Sequence, residues 1–230
     1  MTPAHGDTFV VVPAYNEARQ IGRVVRALTA AGYEVVVVDD GSADGTAEAV
    51  ASLPAHVLRH AVNLGQGAAL ETGMRYALGQ GAEYVVHFDA DGQHRVSDVA
   101  TLVQPLRDGT ADVVLGSRFL DPGGRQTVPF LKRLLLRAGI VLNGLLTRLW
   151  LSDAHNGLRA LTRTAAAEIH FRENGYAHAS EILGQIRSRR LRCVERPTTV
   201  LYTEYSRRKG QPMWNAVNIV FDLLLRELFP

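Results

Sequence analysis

The sequence predicts a doubly wound α/β domain, a mostly parallel central sheet with helices on both faces. Three observations carry this. Short apolar runs rich in β-formers alternate with stretches of helical period through the first half of the chain. Each run ends in polar residues, which is where open α/β sheets bind ligands. The 230 residues, 47% of them hydrophobic, suffice to bury a substantial core in one large domain or two small ones.

The first strand is Phe9 to Val12, followed by Pro13-Ala14-Tyr15-Asn16-Glu17 and a helix with Ile21, Val24, Val25 and Leu28 on one face. The loop lacks the glycine fingerprint of a dinucleotide site. It offers a ring that could stack on a base and a carboxylate, Glu17, that could bond ribose; Asn16 and Glu17 could equally just cap the helix. The second strand, Glu34 to Val38, ends in Asp39-Asp40-Gly41-Ser42, and a helix is expected from Thr46 to Leu53. An aspartate at that strand end can accept from a base N–H or from ribose hydroxyls, or close a capping turn. A third strand is expected from Val57 to Val62. Asn63-Leu64-Gly65-Gln66-Gly67 then opens a helix from Ala68 to about Leu78, where glycine lets backbone approach a ligand or the strand below.

The fourth strand, Tyr84 to Phe88, runs into Asp89-Ala90-Asp91-Gly92-Gln93-His94. In an extended chain, positions i and i+2 face one side, so Asp89 and Asp91 would aim at a common point. Two such carboxylates repel each other unless a cation sits between them. A hard divalent ion suits them, Mg²⁺ in particular, because it takes one or two carboxylates plus substrate phosphates. Gln93 and His94 could add ligands or support. A helix from Ser97 to Arg107 and a strand from Asp112 to Leu115 follow, and Gly116-Ser117-Arg118 ends that strand with a guanidinium suited to phosphate oxygens.

The segments PAYNE (13–17), VVDDGSADGT (37–46), NLGQGAA (63–69), FDADGQH (88–94) and GSR (116–118) together resemble an inverting family 2 glycosyltransferase of the GT-A, Rossmann-like fold. The similarity is greatest to the branch that makes dolichyl- or polyprenyl-phosphate sugars. It covers nearly the whole chain as one domain, residues 1–120 forming the nucleotide-sugar half and 121–230 the acceptor half. Asp153-Ala154-His155-Asn156-Gly157-Leu158-Arg159, the Glu181 helix and Arg207-Arg208-Lys209-Gly210 are matching later pieces. The resemblance implies that Pro13, Tyr15 and Glu17 contact the nucleoside, and that Asp40 reads the base with Asp39 in support. It implies that Asp89 and Asp91, with Gln93, hold Mg²⁺ or Mn²⁺ on the donor diphosphate, and that Ala90 lines the same donor site. Arg118 would face the phosphates or the acceptor, Asp153 would act as acid–base or sugar-orienting carboxylate, and Arg207 would close over the diphosphate. Two places depart from the family: Leu158 stands where it often has Phe, and Gln211-Pro212-Met213 replaces a Ser-Lys after Gly210.

Between Asp121 and Asp153 there is no acidic residue, while Arg125, Lys132, Arg133, Arg137 and Arg148 stand among many leucines. Phe130 to Trp150 is expected as one amphipathic helix and Trp214 to Leu228 as a second. A basic, Leu- and Trp-bearing helix suits a membrane interface, and equally a core, a small membrane-protein partner or a second copy. Beyond these, Gly157 to Leu161 is expected as a strand, Ala179 to Ser188 as a helix and Cys193 to Val200 as extended chain.

Net charge of +2 is too mild to point to nucleic acid. The single cysteine, Cys193, forms no internal disulfide and suits a reducing compartment. Met1 to Asp7 lack a signal-peptide pattern, and no apolar run has the length of a membrane span. The expected location is therefore cytoplasmic, peripheral on the membrane face. The expected reaction moves a sugar from a UDP- or GDP-linked donor to a polyprenyl phosphate. The alternatives are a glycan hydroxyl as acceptor and a non-catalytic nucleotide-sugar-binding subunit. The intact Asp89/Asp91 pair speaks against the last. A nucleotidyltransferase would need a Gly/Arg/Lys-rich loop after the first strand, which Pro13 to Glu17 is not.

Overall fold

The computed structural model describes residues 5–120, 151–153, 156–172 and 178–201. Its strands are β1 (His5–Ala14), β2 (Tyr33–Asp39), β3 (His56–Arg59), β4 (Tyr84–His87), β5 (Val113–Ser117), β6 (Arg159–Thr162) and β7 (Cys193–Pro197). The helices are α1 (Ala18–Ala30), α2 (Gln66–Gly79), α3 (Ser97–Arg107), α4 (Arg163–Glu168) and α5 (His178–Ser188). The strands form one sheet in the order β3-β2-β1-β4-β6-β5-β7. Its pairs are parallel except the two made by β6, which runs antiparallel between β4 and β5. The expected α/β fold with a mostly parallel sheet is what is seen.

The near-continuous apolar runs follow from burial on both faces. In β1, Val10, Val12 and Ala14 pack with Ile21, Val24, Val25 and Leu28 of α1 and with Val99 and Leu102 of α3. Phe9 and Val11 face the other way, onto Leu70 and Met74 of α2, Ala165 of α4 and Ile182 and Ile186 of α5. Gly73 lets α2 sit directly on the sheet: a Cβ there would lie 2.3 Å from Val11 Cγ1 and 3.2 Å from Val38 Cγ2. Both valines are buried and stiff at χ1. Gly73→Ala is therefore expected to destabilise the fold by about 1–3 kcal/mol through overpacking. A urea titration reads this directly, and an unchanged midpoint would show that α2 shifts at no cost.

Four expected elements differ. From Thr46 to Leu53 only a 3₁₀ turn forms, Glu48–Val50. Pro54 disfavours helical Leu53, and the Asp44 carboxylate takes both the Thr46 N–H and its hydroxyl. The strand expected to reach Val62 stops at Arg59, because the chain then turns to wrap Asp40. β4 ends at His87, with the Phe88 N–H closing the ladder on Val11 O, so Asp89 to Asp91 lie in a turn and not in a strand. The last strand ends at Pro197, and the chain beyond it crosses to the Asp91 turn through a His94–Val200 bridge. The helices expected at 130–150 and 214–228 lie outside the described residues. No helix among the described residues is long and apolar enough to cross a membrane.

Candidate functional site

The parallel strands deliver their polar C-terminal ends to one edge of the sheet. Because β6 is antiparallel, its N-terminal end, with residues 156–158 before it, arrives at that same edge. Asp89 and Asp91 sit at its centre. Asp89, whose side chain is 30% exposed, receives His94 Nε2 on Oδ2 at 2.9 Å and Gln66 Nε2 on Oδ1 at 3.3 Å. Burial alone would raise its carboxyl, but the hydrogen bond and charge of His94, backed by Arg159 and His178, hold it below the ordinary value. Asp91 behaves oppositely. Burial and then the negative charge of Asp89 push it up to about 6, with Glu17 adding to the rise.

Gln93 donates both its backbone N–H, at 2.9 Å, and its side-chain amide, at 2.7 Å, to Asp91. It thus orients that carboxylate. Gly92 takes φ +73, and a Cβ there would lie 2.7 Å from Arg23 Nη2, so the guanidinium of α1 comes up against the turn. Behind the pair, Arg159 is only 2% exposed and donates Nε to Asn156 O at 3.1 Å. Burial lowers it to about 10, against the opposing charges of Asp89 and Asp153, so it stays a cation at neutral pH. Gly157 brings bare backbone against Asp89: a Cβ there would lie 2.3 Å from Oδ2.

Among the described residues no three His, Cys, Asp or Glu side chains gather around a common point. Two carboxylates with unbalanced negative charge nevertheless fit a hard divalent cation that draws its remaining ligands from a diphosphate. The raised Asp91 carboxyl reflects its burial first and the Asp89 charge second.

At the end of β1, Tyr15 is 47% exposed, while Pro13 is buried within the strand. Glu17 stands at the N-terminus of α1, but its side chain makes no capping hydrogen bond. The loop from Ser42 to Thr46 caps instead. Asn16 N donates to Ser42 Oγ, Glu17 N to Thr46 Oγ1 and Ala18 N to Asp44 Oδ2. Glu17 lies near enough to Asp91 for its charge to raise that carboxyl's proton affinity.

The two aspartates of the second motif divide their work. Asp40 accepts from Leu64 N and Gly65 N at 2.9 and 2.7 Å and meets His60 Nδ1 at 2.7 Å. Asp39 takes the Ser42 N–H on Oδ1, and its Oδ2 has only Arg59 Nε at 3.3 Å, without hydrogen-bond alignment. A cleft of about 310 Å³ opens beside them, lined by Gly41, Ser42, Arg59, His60 and Ala61.

At the end of β5 the structure joins two residues proposed for separate roles. Arg118 grips Asp153 with Nε at 2.7 Å and Nη2 at 2.8 Å, and its backbone N–H adds a third bond at 3.0 Å. Asp153 is 3% exposed. This fork geometry spends both Asp153 oxygens. Arg207 and His155 lie outside the described residues. The described chain ends at Leu201, whose N–H donates to Gln93 O at 2.8 Å.

The family model for glycosyl transferase family 2 matches residues 9–169. The chain belongs to this family. It is 30% identical to the UDP-N-acetylglucosamine–dolichyl-phosphate N-acetylglucosaminyltransferase of Methanococcus voltae, over 96% of each chain. It is also 30% identical to the undecaprenyl-phosphate mannosyltransferase of Micrococcus luteus, over 86% of this chain and 85% of that one. Among solved structures, glucosyl-3-phosphoglycerate synthase from Mycobacterium tuberculosis in complex with Mg²⁺ and UDP superposes with a TM-score of 0.70. That likeness covers 99% of this chain and 81% of the other at 21% identity, and it shows the shared GT-A fold.

The protein is thus a glycosyltransferase of the polyprenyl-phosphate sugar branch. Sequence reasoning did not single out Arg23, Gln66 or Glu195 in this glycosyltransferase, and it left Gly157 and Arg159 as bare motif letters. Only Gln66, Gly157 and Arg159 carried a signal, since each lies inside a recognised segment. Glu195 and Arg23 reach the site from elements that look like ordinary strand and helix.

Proposed function

We propose that the protein transfers a sugar from a nucleoside-diphosphate donor to a polyprenyl phosphate with inversion, in a metal-dependent reaction. The single observation carrying this is the Asp89/Asp91 turn, in which burial and then the neighbouring Asp89 charge push Asp91 up to about 6. Asp89 and Asp91 would hold Mg²⁺ or Mn²⁺, which when bound supplies charge neutralisation on the departing diphosphate. Gln93 and His94 hold the two carboxylates in place. Tyr15 and Glu17 face the nucleoside and Ala90 lines the donor site. Asp40, with Asp39 in support, would stand on the base side, where Asp39 holds the Ser42 N–H and Asp40 holds the loop after β3. Arg207, outside the described residues, would close over the diphosphate, as the family motif implies.

A lipid phosphate oxygen is already anionic near neutral pH and needs no base. The Arg118–Asp153 pair favours such an acceptor, because both Asp153 oxygens already accept hydrogen bonds from Arg118 and neither is left aimed at an acceptor hydroxyl. Asp153→Asn is therefore expected to slow transfer to a polyprenyl phosphate by less than about 10²-fold, with an unchanged pH profile. Loss of a true general base would cost roughly 10²–10⁴-fold and remove a limb of the profile. The function itself is tested by offering UDP-, GDP- and dTDP-sugars with a short-chain polyprenyl phosphate. A sugar-phosphate lipid formed only with divalent metal supports the reading, and transfer only to a glycan hydroxyl overturns the acceptor.

Peripheral membrane binding belongs to the same proposal. It rests on the acid-free stretch 122–152 with Lys132, Arg133, Arg137 and Arg148. Each basic residue near an anionic surface contributes about 1 kcal/mol, screened by salt. Co-sedimentation with anionic liposomes is expected at low salt, with release at high salt. Lys132→Glu with Arg133→Glu should abolish it while sparing nucleotide binding. Equal binding to neutral liposomes would remove the electrostatic account.

A further inference from the structure

We propose that Glu195 is a positioning residue for acceptor transfer. It fixes Ser152 and Asp153 so that Asp153 holds the Arg118 guanidinium in one orientation at the end of β5. The inference rests on the proposed transfer to a polyprenyl phosphate and takes Arg118, expected to face the phosphates or the acceptor, to face the acceptor.

Glu195 is the third residue of β7 and pairs in register with Leu115 of β5. Its carboxylate accepts from Ser152 N at 2.9 and 2.8 Å, from Ser152 Oγ at 2.9 Å and from Asp153 N at 3.0 Å. A carboxylate only accepts, so the direction of the whole chain of bonds is set. Ser152 Oγ–H must point to Glu195. The Ser117 hydroxyl, 2.5 Å from Ser152 Oγ, must then donate to Ser152, and it accepts in turn from Phe119 N. A second arm runs from Arg118 through Asp153 to the same carboxylate. The two arms lead from consecutive residues, 117–119, to one anchor.

Among the described residues Glu195 forms no ion pair, so its charge is spent on these N–H and O–H donors alone. A glutamine could accept some of them, but its amide would turn N–H groups toward other N–H groups. An arginine that must meet a phosphate needs this kind of support, because a misplacement of about 1 Å can cost 10²-fold. The side-chain entropy of a long guanidinium is then lost on folding and not at the moment of binding.

The test uses the full chain, a short-chain polyprenyl phosphate and whichever donor the nucleotide-sugar panel selects. Glu195→Gln is expected to raise the acceptor KM about tenfold and leave the donor KM unchanged, with the thermal midpoint lowered by the lost hydrogen bonds. On an Arg118→Lys background the same change should add less than about twofold, since coupled residues are non-additive. A full tenfold effect on both backgrounds, or a loss confined to the thermal midpoint, overturns the proposal. Should Glu195→Gln not fold, Glu195→Asp keeps the charge, shortens the reach and reads the same ratio. Hydrogen exchange at the Arg118 Nε–H, assigned by its absence in Arg118→Lys, gives a readout independent of turnover. Faster exchange in Glu195→Gln is expected, and unchanged exchange overturns the positioning role. If exchange quickens but Arg118→Lys leaves the acceptor KM unaltered, the acceptor reading of Arg118 is what fails.

Discussion

Asp91→Asn is expected to abolish sugar transfer while making the metal-free protein more stable at neutral pH. The two effects share one cause. In the folded protein the Asp91 carboxyl is pushed up to about 6 by burial and by the neighbouring Asp89 charge. The folded state therefore binds that proton more tightly than the unfolded chain does. Below the ordinary carboxylate range both states are protonated and the favourable contribution is full. As pH rises through 6 the folded carboxyl ionises against Asp89, and on the order of 2–3 kcal/mol is lost. Asparagine cannot ionise and escapes that loss.

Asp89→Asn should behave the other way. The Asp89 carboxyl is held below its ordinary value, so its contribution is present above the unfolded value and lost only as pH falls through the lower folded one. Removing its charge forfeits that contribution at neutral pH and weakens the bond to His94. Both variants should lose at least about 10³-fold in rate, because each removes an anchor for diphosphate charge. Thermal melts in chelator from about pH 4 to pH 8, with transfer assays beside them, separate the cases. An Asp91→Asn protein that melts below its parent at neutral pH, or that keeps its turnover, would show that the two carboxylates do not share a site. In the parent protein, the gain in thermal midpoint on adding Mg²⁺ should also grow as pH rises through 6.

Gly157→Ala is the second large effect, and no list of polar residues would suggest it. The added methyl would lie 2.3 Å from Asp89 Oδ2 and 2.8 Å from its Cγ. Real contacts of that kind do not occur, so either Asp89 swings away or residues 156–158 move. Neighbouring ties resist the second option. Asn156 is pinned to Thr198 Oγ1 and to Leu158 N, and Leu158 O accepts the Gly116 N–H. Asp89 is the softer partner, and losing its place should cut turnover by about 10²–10³-fold. Stability should fall by only about 1–2 kcal/mol, because the side chain that moves is partly solvated. Divalent-metal titration of the thermal midpoint provides the check. Near-parental activity would mean that the 156–158 segment yields, and that Asp89 is not held by it.

Local pattern was enough for the fold class, for the order of the strands along the chain up to β5, and for the sheet edge that carries the chemistry. An apolar run buried on both faces must read as continuous Val and Ile, and the polar residues that end it mark its ligand-facing tip, whatever lies elsewhere. The family motifs named the Asp89/Asp91 turn for the same reason, since they are contiguous. What the sequence could not decide was which distant groups meet there. The antiparallel insertion of β6 brings Arg159 and Gly157 behind Asp89, α2 supplies Gln66, and β7 sends Glu195 under Asp153. That same convergence turned two separately assigned residues, Arg118 and Asp153, into one ion pair and tied Asp40 to the loop after β3. Short-range periodicity reports only whether a residue is buried. The partner of a buried charge is set by strand order, and strand order is decided by which apolar faces close the core together.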